Sequence, residues 1–198
     1  MPFNKDLYNE TEVSQGFTKL EPGIYLCRVL DFKDEEEKQY LRIKFDIVEG
    51  KFKDYFGQSE KQFGEWPRDG FEIRSYKDTA MPFFKGFITA LEKSNAGYSF
   101  SRTYDFATIR NKTFVGIFGE EEIPFPDDNG KPIVKVRLQK IASTDRLAQG
   151  EIKIPERKVL SDDDREKLEK QLYTDKVVAE RKNAQQPTQL AKEEDLPY

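Results

Sequence analysis

Residues 39–49 read Gln39-Tyr40-Leu41-Arg42-Ile43-Lys44-Phe45-Asp46-Ile47-Val48-Glu49. Leu41, Ile43, Phe45 and Ile47 fall on one side of an extended chain, and Tyr40, Arg42, Lys44 and Asp46 on the other. Strict period-2 alternation is the mark of a strand with one dry face and one wet face. Just before it, 23–33 (GIYLCRVLDFK) is rich in apolar and β-favouring residues, and 34–38 (DEEEK) makes a charged turn. Together they predict an antiparallel hairpin.

Working outward, Gly50 punctuates the chain and 51–56 (KFKDYF) resumes as a short strand. The segment 57–70 (GQSEKQFGEWPRDG), with three Gly and one Pro, reads as a loop. In 71–76 (FEIRSY) Phe71, Ile73 and Ser75 stand opposite Glu72, Arg74 and Tyr76, so 51–76 reads as one interrupted strand region with a long insertion. Asp78 offers a helix cap and Pro82 suits a first turn. Phe83, Phe84, Phe87, Ile88 and Leu91 then recur at helical spacing until Asn95 and Gly97, which predicts a core helix over 79–94. Residues 112–119 (KTFVGIFG) and 133–141 (IVKVRLQKI) are two further strands, with a DDNG turn at 127–130 between them.

The order is strand, strand, strand, helix, strand, strand. It predicts a mainly β fold: a five-stranded antiparallel oligonucleotide-binding (OB) barrel with one helix between strands 3 and 4. Ser161 with Asp162, Asp163 and Asp164 forms a capping box that opens a C-terminal helix with a thin apolar face. The expected organisation is an N-terminal arm over 1–20, the OB domain over 21–158, the helix over 159–182, and a flexible linker and acidic tail over 183–198.

What is missing narrows the chemistry. The 198 residues contain no His and one Cys, Cys27, so triads that need imidazole, Cys-cluster zinc sites and an intrachain disulfide are all excluded. No nucleotide-binding fingerprint is present. Glu120, Glu121 and Glu122, with Asp127 and Asp128, offer oxygen ligands for Mg²⁺, but neighbouring residues on a strand point to opposite faces and do not converge on one ion. The expectation is a binding protein, not an enzyme, with no cofactor and no metal. The opening residues lack a signal-peptide pattern and no apolar run is long enough to span a membrane, so a soluble, cytoplasmic protein is expected.

The net charge of −4 is unevenly spread. Residues 1–160 carry −1 and residues 161–198 carry −3, whereas 131–146 hold five cations against Asp145 alone. Arg42 and Lys44 on the wet face of the second strand, with Lys135 and Arg137 on the last, are placed to follow a phosphate backbone. Lys53, Arg74 and Lys112 add cations at or beside strands. Binding of single strands also needs aromatic platforms, for which Tyr40, Tyr55, Trp66 and Tyr76 are the candidates. Trp66, the only Trp, either stacks on a base or folds back to plug a barrel end.

The chain ends in Glu193, Glu194, Asp195, Leu196, Pro197 and Tyr198. A terminal aromatic and aliphatic pair fits an apolar pocket, while the acids and the α-carboxylate meet cations around it. The linker over 183–192 gives the tip a root-mean-square reach of roughly 17–19 Å. This ending resembles the tail of the single-stranded DNA-binding proteins of bacteria and their phages, with Glu for Asp at two positions and Tyr for the usual terminal Phe. The resemblance implies single-stranded DNA binding in phage-type replication or recombination, with the tail recruiting replication or recombination proteins. It also implies a location in the bacterial host cytoplasm; a homo-oligomer is compatible with it. The rival readings are a protein-interaction module that does not bind DNA and, further off, a Mg²⁺-dependent nuclease.

Overall fold

The structure is a computed structural model that describes residues 17–184. The terminal arm up to residue 16 and the tail from 185, including Glu193 to Tyr198, lie outside the described residues. Five strands, β1 (Gly23–Glu35), β2 (Tyr40–Ile47), β3 (Phe71–Ser75), β4 (Thr113–Pro126) and β5 (Pro132–Ala142), form an antiparallel sheet in the order β3-β2-β1-β4-β5. The α-helices among the described residues are α1 (Tyr55–Phe63), α2 (Met81–Ser94), α3 (Thr144–Ala148) and α4 (Asp162–Ala184).

The β1–β2 hairpin turns through Glu36–Lys38, where Gln39 takes a left-handed φ of 55°. Its register slips once, between Val29 and Asp31. The inward row of β2 is as its alternation predicts: Leu41, Ile43, Phe45 and Ile47 are at most 1% exposed. These side chains join Val29, Phe114, Phe118 and the helix residues Phe56, Phe84, Phe87 and Leu91 in the main core. Phe45 sits at its centre, edge-on to Phe56 (5.3 Å) and Phe114 (5.7 Å). Each such residue, fully buried, contributes about 1.5–3 kcal/mol. The opposite face of β4 builds a smaller core from Val115, Ile117 and Ala142, with Ile24, Leu26 and Ile152 packed against it.

Three expectations are corrected. The sheet is open and not a closed barrel: β3 pairs with β2, and no ladder joins it to β5 among the described residues. The opening lies between the five-residue β3 and the other edge strand, and there an ion pair, Arg137 Nε to Asp69 Oδ1 at 3.0 Å, stands where backbone pairing would close a barrel. Secondly, 51–56 is not a strand and 57–70 is not all loop, because α1 covers Tyr55–Phe63. Phe52 and Phe56, both buried, are four residues apart, a spacing that fits alternation and a helix alike. Thirdly, Phe83 is 73% exposed. The helix starts at Met81, after a 3₁₀ turn over Asp78–Ala80, and its buried stripe is Phe84, Phe87, Ile88 and Leu91, which leaves Phe83 on the rim.

The chain forms two compact units. The first runs to Gly119 and resumes over Val136–Pro155, and it holds both cores. The second comprises, among the described residues, Glu120–Lys135 and 156–184. In this second unit Asp127 Oδ1 accepts the backbone N–H groups of Asn129 (2.9 Å) and Lys131 (2.8 Å) and so shapes the hairpin turn. These hydrogen bonds, the one from Lys131 first, hold its carboxyl below the usual range. Ser161 caps the start of α4, with Asp164 N–H donating to Ser161 Oγ at 3.2 Å, while the return bond of the expected capping box comes from the Ser161 hydroxyl, not its backbone N–H, to Asp164 Oδ2 at 2.9 Å. No helix among the described residues is long and apolar enough to cross a membrane.

Candidate nucleic-acid interface

Paired residues of neighbouring strands share a face. The register sets Arg42 beside Ile73 and Lys44 beside Phe71 on one flank, and Lys33 beside Arg42 and Asp31 beside Lys44 on the other. The outward face of β1, β2 and β3 is therefore a grid of cations, carboxylates and apolar rings. Ile73, 58% exposed, lies in the open on it.

Two of its cations lie on ring faces. The Arg42 guanidinium carbon is 3.8 Å from the Phe71 ring centre, and Lys44 Nζ is 3.8 Å from that of Trp66. Stacks of this kind contribute about 0.5–1 kcal/mol where exposed and more where dry. Lys44 also reaches Glu60 at 3.5 Å and Lys33 is tied to Glu35 at 2.6 Å, but Arg42 has no acid partner among the described residues. The pair shifts both groups of the second bridge: Glu35 raises the Lys33 ammonium, chiefly through their hydrogen bond, and is itself lowered by it.

Trp66 is half-buried. Its indole N–H donates to the Gly70 carbonyl at 3.0 Å, its ring leans on Phe56 at 6.3 Å, and its face carries Lys44. It is thus anchored by Gly70 and Phe56, with Lys44 lying over its ring. Gly70 makes this possible, because a Cβ there would come within 2.3 Å of the indole nitrogen.

The last outward position of β2 behaves differently. Asp46 is buried, and its Oδ1 accepts from Ile47 N (2.8 Å) and Phe56 N (3.0 Å) while Oδ2 accepts from Gly57 N (2.9 Å). It satisfies the first free amides of α1, a task that the helix's own preceding residue, Asp54, leaves undone. Burial pushes the Asp46 carboxyl up, against the pull of those three N–H groups. Sequence reading placed Asp46 in solvent and missed this role. The only signal was an acid directly before the apolar end of a strand, and it cannot be read without knowing that a helix follows.

The other expected residues divide among separate places. Tyr40 is on the outward face, paired with Ser75. Lys53 and Tyr55 line a different cleft beside α1, with Tyr55 Oη accepting from Leu20 N at 3.1 Å. Arg74 and Tyr76 point inward and leave the proposed surface. Arg74 pairs with Glu72 at 2.8 Å over Phe87, its Nε buried with no hydrogen-bond partner, and Tyr76 packs on Phe84 and Phe106 and donates to Asp34 at 2.7 Å. Burial first and this hydrogen bond second raise the Tyr76 phenol to about 12. Lys112 covers the Tyr98 ring at 4.8 Å, and Arg137 is held by Asp69. Lys135 is exposed in the second unit. The structure therefore brings together Tyr40, Arg42, Lys44 and Trp66 of the expected set and adds Phe71 and Ile73, which alternation sets opposite Glu72 and Arg74.

The acidic run of the second unit is engaged in structure. Glu120 meets Arg157 at 2.6 Å, Glu121 meets Lys158 at 2.7 Å, and Glu122 accepts from Leu160 N at 3.2 Å. No group of three or more potential ligand side chains gathers around a point among the described residues. In comparisons with known proteins, the chain matches no protein-family model and no curated protein.

Proposed function

We propose that this protein binds single-stranded DNA without strong sequence preference on the outward face of β2 and β3. The observation that carries this reading is the pair of cation–ring stacks, Arg42 on Phe71 and Lys44 on Trp66, set side by side by strand register. Single strands expose both charged phosphates and flat bases. A face that alternates ammonium or guanidinium groups with rings meets both at once. Arg42, free of any acid partner among the described residues, also offers its own guanidinium plane to a base.

The connectivity supports the same reading. An OB barrel unrolled at the seam between its third and fifth strands has the order β3-β2-β1-β4-β5, with a helix between the third and fourth strands, as found here. Strands 2 and 3 form the usual binding face of that fold. On this reading the protein is a non-enzymatic OB-type protein of phage replication or recombination. Its tail, Glu193 to Tyr198, recruits partner proteins through the Leu-Pro-Tyr tip and the three acids before it.

The deciding experiment is a gel shift with a labelled dT oligomer over a range of salt, using the full chain and a chain lacking 193–198. Binding that weakens steeply with salt, and that survives or tightens on truncation, supports the proposal. No retention of the oligomer at low salt would end it. One observation favours the rival reading of a protein-interaction module. An apolar groove of about 670 Å³ runs beside α2, lined by Phe84, Ile88, Phe100 and Phe106, with exposed Met81 and Tyr104 at its rim.

A further inference from the structure

A second cationic surface lies on the other side of α1. A cleft of about 490 Å³ there is lined by Lys51, Lys53 and Lys61 and by the rings of Phe17, Phe52 and Tyr55, and no acidic side chain lines it among the described residues. Lys51 is engaged by Glu21 at 2.7 Å. Lys53 and Lys61 have no acid partner among the described residues. The rings are held in place: Phe17 lies 4.8 Å and Phe52 5.9 Å from Tyr55, whose oxygen is fixed by Leu20 N–H. Gln58 Nε2 donates to the Lys53 carbonyl at 2.8 Å and ties that lysine's backbone to the helix.

We propose that this cleft holds phosphodiester groups of the same single strand, so that the DNA passes from the β2–β3 face around α1. The inference rests on the reading of that face as the DNA-binding surface. Its independent basis is the helix the two surfaces share. On one side of α1, Phe56 packs against Trp66 and Glu60 meets Lys44; on the other, Lys61 and Tyr55 face the cleft. The nine residues of α1 are only about 13 Å long. Lys53 and Lys61, which no acid among the described residues pairs with, repel one another across the cleft, and a phosphate relieves that repulsion. A mononucleotide carries the same phosphate chemistry, so the test separates the two ligands.

The full-length protein and its Lys53→Gln/Lys61→Gln variant are titrated with a dT oligomer at several salt concentrations, and separately with ATP. Both lysines are exposed, so the variant is expected to melt like the wild type. The slope of log K against log salt should become shallower by about 1.4, since each phosphate contact on a single strand contributes about 0.7. Lys53→Arg/Lys61→Arg should restore it. Quenching of Trp66 fluorescence at saturating DNA should persist in the variant, because the β2–β3 face is intact. An unchanged slope in a protein that binds dT overturns this inference and leaves the β2–β3 reading standing. ATP binding that is lost in the Gln variant while the dT slope stays put also overturns it and assigns the cleft to mononucleotides. A wild type that ignores dT altogether brings down both proposals.

Discussion

Strands β2 and β3 lie side by side and obey the same period of two, yet they place charge on opposite faces. In β2 the aliphatic and aromatic row Leu41, Ile43, Phe45 and Ile47 turns inward and the cations Arg42 and Lys44 turn outward. In β3 the charged residues Glu72 and Arg74 share the inward face, paired with Ile43 and Leu41, and Phe71 and Ile73 face out. The difference follows from position in the sheet. β2 is flanked on both sides, so its inner row must be dry. β3 is an edge strand, where Glu72 and Arg74 keep about 21% of their side-chain surface in contact with water through the opening. Inward charges on an edge strand also oppose strand addition from another molecule. The proposed binding face is a product of this contrast: only because β3 is turned this way does an apolar row lie next to the cations of β2.

The largest effect should come from the inner row of β2. Phe45→Ala removes a fully buried ring and should lower unfolding free energy by about 3–5 kcal/mol in urea titration. Phe71→Ala, the same truncation on the outward face, should cost far less stability and weaken dT binding instead. Equal losses of stability from the two would break the contrast.

Next in size is Trp66→Ala. Loss of one stacking platform should weaken dT binding by about 1–3 kcal/mol, read in a filter-binding or gel assay. In the wild type the same residue, being the only Trp, should report binding through quenched fluorescence. Unchanged affinity would remove Trp66 from the face.

The inward pair of β3 gives a sharper test at similar or smaller magnitude. Arg74→Met leaves Glu72 half-enclosed without its partner and should cost about 1–3 kcal/mol, less than a fully buried pair because both groups still touch water. Glu72→Gln should behave differently. Burial raises the Glu72 carboxyl above its ordinary range, and Arg74 lowers it only in part. The folded state thus holds that proton more tightly than the unfolded state. The resulting stability is complete below about pH 4 and is lost as pH rises through the higher folded value. Glu72→Gln should therefore be near neutral at pH 7 and should flatten the decline of stability with rising pH. Asp46, shifted in the same direction, leaves part of that slope in place.

The smallest effect should be at the start of α2. Phe83→Ser should change stability by no more than about 0.5 kcal/mol, whereas Phe84→Ala, one residue along, should cost several. A large loss at Phe83 would return it to the core stripe.

These contrasts show how far the linear pattern reaches. The inward row of β2, the stripe Phe84, Phe87, Ile88 and Leu91 and the capping residues Ser161 and Asp164 were legible because each depends on neighbours within a few positions. Tyr40, Arg42 and Lys44 were legible as a wet row for the same reason. Phe71, Ile73, Asp46 and the cleft lysines Lys51 and Lys61 were not. Their roles depend on partners far along the chain: Phe71 on Arg42, Asp46 on the amides of Phe56 and Gly57, and Lys61 on where α1 lies against β2.

What the sequence by itself determined is the mainly β character, five strands with a helix after the third, and the absence of His and of all but one Cys, which excludes imidazole and Cys-cluster chemistry. What only the tertiary structure decided is which face of β3 turns inward, that 55–63 is helix, and that the sheet stays open. The physical reason is that alternation divides a strand into two faces without saying which one is buried. That choice is made by the register against β2 and by solvent reaching the inner face of an edge strand.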